Sequence, residues 1–329
     1  MSASGSAPRR MVSGPTWGPD VLHAFYRLAA VLLLGFVLSF LSPAFLSWGN
    51  ILNVLRQASL LFLIASGLTL VILTAGLDLS VGANLGLSAG VAAAVMQASG
   101  SALLGSFTAL GCGGAIGLAN GIMVARLRIP SFIATYGMLW VSSGITYYFM
   151  GGGAIYGFPA GFRALGTGYL FRVPIPIYVM VAFLAAGTLI THRTTFGQDI
   201  FAIGANAVAA RLSGIPVRSR LVAVYAISGV MAGFAAIIYL ARVDSAEAGI
   251  GEPLLLPAVA AVLIGGTSLF GGIGGLFGTM TGALLLTLVL NGMNLLTINA
   301  NWQPFATGVI VLLALLIDTL TRRHSERRA

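Results

Sequence analysis

Ten apolar segments divide the chain, at roughly 25–46, 51–75, 79–98, 102–125, 131–151, 174–191, 221–241, 254–265, 276–293 and 305–320. A helix needs about 20 mostly apolar residues to cross the hydrocarbon core of a bilayer. The pattern therefore predicts an all-α polytopic membrane helix bundle of about ten transmembrane helices. The third and eighth segments are rich in Gly and other small residues, so either is expected to be broken or re-entrant. A polar tail (1–24) containing Ser, Gly and Pro precedes a transmembrane domain at 25–321, and a short tail (322–329) follows it.

Two connections are long. Residues 152–173 carry Gly, Pro and aromatics in the manner of an ordered loop or a short interfacial helix. Residues 192–220 (HRTTFGQDIFAIGANAVAARLSGIPVRSR) exceed the few residues that most connections need. Within them Ala205 to Leu212 are good helix formers, Asn206 suits an N-cap, and Gly214 followed by Pro216 is a stop signal. The expectation is a short helix lying under the membrane, which a soluble partner could grip.

Composition sharpens this picture. The chain is 58% hydrophobic and 8% charged, where a soluble domain carries roughly a quarter of charged residues. That excludes a cytosolic enzyme, a secreted disulfide domain and a disordered chain. All 17 basic residues are Arg, so neither a Walker A phosphate loop nor Schiff-base chemistry has its Lys. His23, His192 and His324 are dispersed and Cys112 stands alone, which leaves no metal-ligand cluster and no disulfide to expect. The net charge of +9 reflects topology. Ten spans with both termini cytoplasmic put 13 Arg inside and only Arg163, Arg172 and Arg242 outside, with Arg56 near the outer end of the second span. A nucleic-acid partner is not expected.

A weak internal repeat runs through the chain. RIPSFIATYGML (128–139) is similar to NWQPFATGVIVL (301–312), and Asn120-Gly121 is echoed by Asn291-Gly292. AGLDLSVG (75–82) loosely matches GGTSLFGG (265–272), at a different offset. Duplicated halves are common in transporters. Gly113, Gly117 and Gly121, and likewise Gly274, Gly278 and Gly282, form small-xxx-small steps that set helix against helix. The GGIGGLFG run (271–278) lacks the spacing and context of a dinucleotide loop.

Chemistry is sparse within the spans. Asp78 lies between two apolar stretches, where a carboxylate costs about 2.5 kcal/mol or more. Two readings stand side by side: Asp78 faces a polar pathway, or Asp78 or Ser80 caps the third span. Asn84, Asn120, Thr135 and Asn291 add amides and a hydroxyl that suit a route for a neutral, hydroxyl-rich solute, or serve as interhelical glue. An ion or proton relay has only Asp78, Asp318 and Arg56 to draw on. No catalytic residues are expected.

The stretch NILNVLRQASLLFLIASGLTLVILTAGLDLSVGANLGLSAGVAAAV (50–95) resembles the signature region of the inner-membrane permeases of ribose-type sugar ABC importers. RIPSFIATYGML with the MGGG at 150–153, FGQDIFAIGANAVAARLSGIPV (196–217) and AVLIGGTSLFGGIGG (261–275) resemble further blocks of that family, over about 25–321. The resemblance implies a two-fold assembly of permease protomers in the bacterial inner membrane. A periplasmic binding protein would deliver a monosaccharide or similar solute, and a cytoplasmic ATPase carrying the ATP and Mg would power uptake. No cofactor is then bound by this chain itself. It further implies that Gly204, Asn206, Ala209, Arg211, Ser213, Gly214 and Ile215 contact the ATPase, although many members carry Glu where this chain has Ala207. The alternatives are an ion-coupled secondary transporter using Asp78, and a membrane-embedded structural or channel subunit.

Overall fold

A computed structural model describes residues 17–326. In chain order the helices are α1 (Trp17–Leu41), α2 (Trp48–Leu73), α3 (Val81–Ser99), α4 (Ala102–Ala125) and α5 (Ser131–Met150). After strand β1 (Ala154–Tyr156) come α6 (Ala160–Thr167), β2 (Tyr169–Leu170), β3 (Val173–Pro174), α7 (Ile175–Arg193), α8 (Thr195–Ala205) and α9 (Ala207–Leu212). Then follow α10 (Val217–Val243), β4 (Ser245–Glu247), a 3-10 turn (Glu252–Leu254), α11 (Leu255–Ile264), α12 (Leu276–Leu295) and α13 (Trp302–Glu326). The chain is thus a helical bundle trimmed by two short antiparallel ladders, β1 with β4 and β2 with β3. Among the described residues, six helices (α2, α3, α4, α7, α10 and α12) are long and apolar enough to cross a membrane. Shorter apolar stretches lie in α1, across the 3-10 turn and α11, and in α13.

Helix α1 begins at Trp17, ahead of the apolar run expected to open the domain, and α13 continues through Glu326 into the expected tail. Residues 1–16 and 327–329 of the two tails lie outside the described residues. The third segment is an unbroken helix of 19 residues entered through a non-helical connection at 74–80. The eighth is one short helix: α11 has 10 residues, a rise of about 15 Å against the ~30 Å of bilayer hydrocarbon.

Helix α2 is the axis of the bundle, with 78% of its apolar window buried, whereas α4 and α7 keep only 22% and 17% inside. Phe36, Phe40, Phe107, Trp140 and Leu189 are exposed on the periphery. So much apolar surface calls for a lipid or protein neighbour. The α4–α10 contact is set by glycine. Gly117 and Gly121 lie against Tyr225, Gly229 and Val222, and Gly113 against Gly229 and Gly233, leaving backbone to meet backbone. Gly278 and Gly282 do the same against Gly265 and Ala261 of α11. Gly274 does not share that helix. It precedes α12, folds against Thr267 and adopts φ +132, a conformation open to glycine.

The repeat is an inverted one. Helices α2, α4 and α5 begin at 48, 102 and 131, and α10, α12 and α13 at 217, 276 and 302, which are offsets of 169, 174 and 171 residues. Helix α2 starts where Asn50 pairs with Asn291 and ends where Leu73 O accepts from Gly272 N at the α8–α9 end. Helix α10 runs the other way. Val217 packs with Ile203 and Ala210, and Asp244 at its far end accepts from Phe158 N. In this arrangement the partner of Ala75-Gly76-Leu77 is Ala248-Gly249-Ile250, at an offset of 173. The 265–272 segment expected to match 75–82 instead joins α11 to α12, which explains its discordant offset. The loop that follows α10 meets the first turn of α3 inside the bundle. A Cβ built on Gly251 would lie 2.7 Å from the Gly82 carbonyl carbon.

Candidate functional site

The non-helical 74–80 connection holds Asp78 at the centre of a buried polar network. One carboxylate oxygen accepts from Ser80 N at 3.0 Å and Ser80 Oγ at 2.7 Å, and the other accepts from Ser228 Oγ of α10 at 3.0 Å. Asn120 Nδ2 of α4 donates to Ser80 Oγ at 2.8 Å. Thr135 Oγ1 of α5 accepts from Leu79 N at 3.1 Å, and the Tyr225 hydroxyl donates to Leu77 O at 3.3 Å. Hydrogen bonds to a charged group contribute about 1.5–3 kcal/mol each, so three donors offset much of the carboxylate's desolvation. Asp78 is only 1% exposed, and without them it would be untenable.

This geometry refines both readings of Asp78. Ser80 occupies the N-cap position of α3, yet its hydroxyl makes no cap hydrogen bond and turns to Asp78 instead. Asp78 binds the cap residue's own amide, so it ties the connection to α3 and α10 rather than capping the first turn. Asn84, one turn into α3, donates to Gly113 O at 3.2 Å and accepts from Ser88 Oγ at 3.1 Å. Asn291 is not part of this cluster. It exchanges hydrogen bonds with Asn50 of α2 at 3.1 and 2.8 Å, at the opposite end of the bundle. Four of the six expected pathway residues, Asp78, Ser80, Asn120 and Thr135, therefore converge, with Asn84 one turn further along α3, and all five are buried. Ser228 and Tyr225 complete the cluster and were not singled out from the sequence. A Ser-Gly pair inside the otherwise apolar α10 was the available signal.

The second candidate element is the pair α8–α9. Thr194 caps α8 through Gly197 N at 3.3 Å. Asn206 closes α8 and opens α9, its Oδ1 accepting from Val208 N and Ala209 N, both at 3.0 Å. Gly214, at φ +86, turns the chain toward Pro216 as the stop signal requires. The predicted contact residues divide into two groups. Asn206, Ala209, Arg211, Ser213 and Gly214 are exposed, beside exposed Val208 and Leu212. Gly204 and Ile215 point inward, Ile215 into the cluster of Ile203, Ala210 and Val217. Gly204 sits where Leu73 ends α2 and Gly271–Gly272 turn, and Gly271 in turn abuts Ala75 N. Below α9, Arg220 Nε of α10 donates to Asp199 Oδ2 at 2.7 Å and lies 5.5 Å over the Phe196 ring. That latch joins residues 21 apart in sequence, a spacing with no local signature.

At the other end, a cavity of about 560 Å³ is lined by Gln57, Tyr239, Arg242, Glu252, Thr287 and Gln303, among others, over an apolar floor that includes Leu60, Leu61 and Pro257. None of the six expected pathway residues lines it. Near it, Arg56 donates to Tyr169 OH at 2.7 Å, and Arg163 pairs with Asp244 at 3.4 Å. No group of three or more metal-ligating side chains occurs among the described residues.

The family model described as branched-chain amino acid transport system / permease component matches residues 50–317. The ribose import permease protein RbsC of Escherichia coli (strain K12) is 42% identical over 296 residues, covering 88% of this chain and 92% of that protein. RbsC of Bacillus subtilis (strain 168) is 38% identical, covering 87% and 89%. The galactose/methyl galactoside import permease protein MglC of Salmonella typhimurium is 36% identical, covering 88% and 92%. No solved structure matches. The chain belongs to this permease family.

Proposed function

We propose that this family member is the permease subunit of an ATP-binding-cassette importer for a monosaccharide or a similar polyhydroxylated solute. It would cross the inner membrane ten times with both termini cytoplasmic. Relatives at 36–42% identity named as ribose and galactose import permeases support the solute class, and the Arg asymmetry supports the orientation. The cavity end would face a periplasmic binding protein, and the α8–α9 end a cytoplasmic ATPase that holds ATP and Mg. A second protomer would complete the pathway.

One observation carries the coupling role. Gly204 of α8 abuts the end of α2 and the Gly271–Gly272 turn, and that turn abuts Ala75, three residues before Asp78. A movement imposed on α8–α9 is transmitted through backbone contacts to the connection that holds the buried polar network. Covering Val208 and Leu212, which are 70% and 84% exposed, would contribute about 2 kcal/mol each to docking. Exposed Arg211 would add a directional contact to a carboxylate.

Reconstitution with the cognate ATPase and binding protein tests the reading. Solute accumulation should require both ATP and the binding protein. Uptake driven by an ion gradient without nucleotide would overturn it.

A further inference from the structure

The cavity at the end remote from α8–α9 is lined by polar side chains that the protein leaves unused. Arg242, Gln57, Tyr239 and Thr287 line it, and none makes a side-chain hydrogen bond or ion pair among the described residues. Glu252 lines the same space and takes a single hydrogen bond, from Ser143 Oγ at 3.2 Å. Arg242 and Glu252 thus share a cavity without pairing with each other. Asp244, the acid nearest to Arg242 in sequence, is occupied by Arg163 and Phe158 N.

Of these residues Thr287 is buried, Gln57, Tyr239 and Arg242 are half-buried, and Glu252 is exposed. Several polar side chains without a protein partner share this one space, which leaves their hydrogen-bonding capacity open to a polar occupant. Its chemistry can be read from the lining. The two charges are of opposite sign, so no strong net field selects an ion. Arg donates only, Glu accepts only, and Gln57 and Gln303 do both, which together match alternating hydroxyl groups. Leu60, Leu61 and Pro257 offer an apolar wall to a C–H face. At about 560 Å³, the cavity is within the ~300–1,000 Å³ range of small-molecule sites.

We infer that this cavity is a solute-binding subsite for a neutral polyhydroxylated ring, held by Gln57, Arg242 and Glu252 as it leaves the binding protein. The inference rests on the importer reading and locates where that reading's solute first binds this chain. None of the Asp78 network lines the cavity, so this subsite and the network are successive stations, at opposite ends of α10's outer half.

The test is saturation-transfer NMR on the purified full-length permease in nanodiscs, with ribose, galactose and galacturonate as probes and native mass spectrometry to detect retained phospholipid. Ring protons of ribose or galactose should show transfer, weakened about fivefold to tenfold in Arg242→Met and in Gln57→Ala, each of which removes one contact. Thr287→Trp, which fills the space, should abolish it. Thermal melting confirms that each variant is folded, and Glu252→Gln provides a further variant of nearly unchanged shape. Transfer equal to wild type in the folded variants would overturn the inference. So would galacturonate outcompeting galactose, or a phospholipid retained in wild type and lost in Thr287→Trp. Nucleotide-independent uptake would sink the importer reading while leaving these binding signals intact, so the two failures are distinguishable.

Discussion

Gly117→Ala is the sharpest probe of how this bundle is held together. A methyl group on Gly117 would lie 2.9 Å from Gly229 Cα and 3.0 Å from Gly229 N of α10, and would also strike the Tyr225 carbonyl. These are backbone atoms and cannot rotate away, so the helices must part by roughly half an ångström to an ångström, about the shortfall from ordinary carbon contact distance. Overpacking of this kind costs about 1–3 kcal/mol. Parting the helices would also loosen the neighbouring Gly113 and Gly121 contacts. Gly111 of the same helix is the internal control, since a methyl there meets nothing within 4 Å. Gly111→Ala should gain the ordinary helix preference of Ala over Gly, about 0.5–1 kcal/mol. Thermal unfolding of the purified permease in detergent should therefore place Gly117→Ala several degrees below Gly111→Ala. Equal melting of the two variants, or a higher melting point for Gly117→Ala, would refute glycine-mediated backbone contact as the basis of the α4–α10 pairing.

Three further outcomes are expected. Asp199→Asn or Arg220→Met should cost about 1 kcal/mol and speed amide exchange in 195–212, and the swapped pair Asp199→Arg/Arg220→Asp should recover part of the protection; unchanged exchange in both single variants would mean that the latch does not hold α8. Asp78→Asn keeps the shape but weakens the bonds from Ser80 and Ser228, so ATP-dependent uptake per folded molecule should fall at least tenfold; normal uptake with a lower melting point alone would assign Asp78 a purely structural role. Asn206→Ala removes the side-chain cap of α9, worth about 1 kcal/mol, and should reduce permease-stimulated ATP hydrolysis by the ATPase at limiting permease concentration, whereas full stimulation would show that α9 need not be preformed.

Much of the candidate site was legible residue by residue, but its connectivity was not. Asp78 stood out because a carboxylate in an apolar run is costly, and the Asn206 cap and Gly214 stop were visible because caps act within a few residues. The partners of Asp78 were less accessible. Ser228 lies 150 residues away, and the hydroxyl of a Ser-Gly pair inside a span has the same signature whether it holds a functional carboxylate or only pads a helix contact. Asn291 makes the converse point. Its amide in an apolar helix suggested a pathway residue, and inversion of the second half carries it to the end opposite Asp78, where it exchanges hydrogen bonds with Asn50. The cavity lining had no sequence signature at all, since Gln57, Arg242, Glu252 and Gln303 come from separate elements.

The sequence by itself determined the solvent of this protein and the positions of its helices. Apolar run length, scarce charge and the uneven placement of Arg are local properties, and lipid acts on each segment separately. It also determined which helices could approach closely, because a glycine step permits contact whatever the partner. Tertiary structure decided which helices use that permission, the antiparallel placing of the two repeats, the short helix that the eighth segment forms, and the convergence of Ser80, Asn120 and Ser228 on Asp78. Those outcomes depend on which faces meet once the helices pack. A hydrogen bond between distant residues acquires its energy only after packing has removed both groups from other partners, so no local pattern in the chain encodes it.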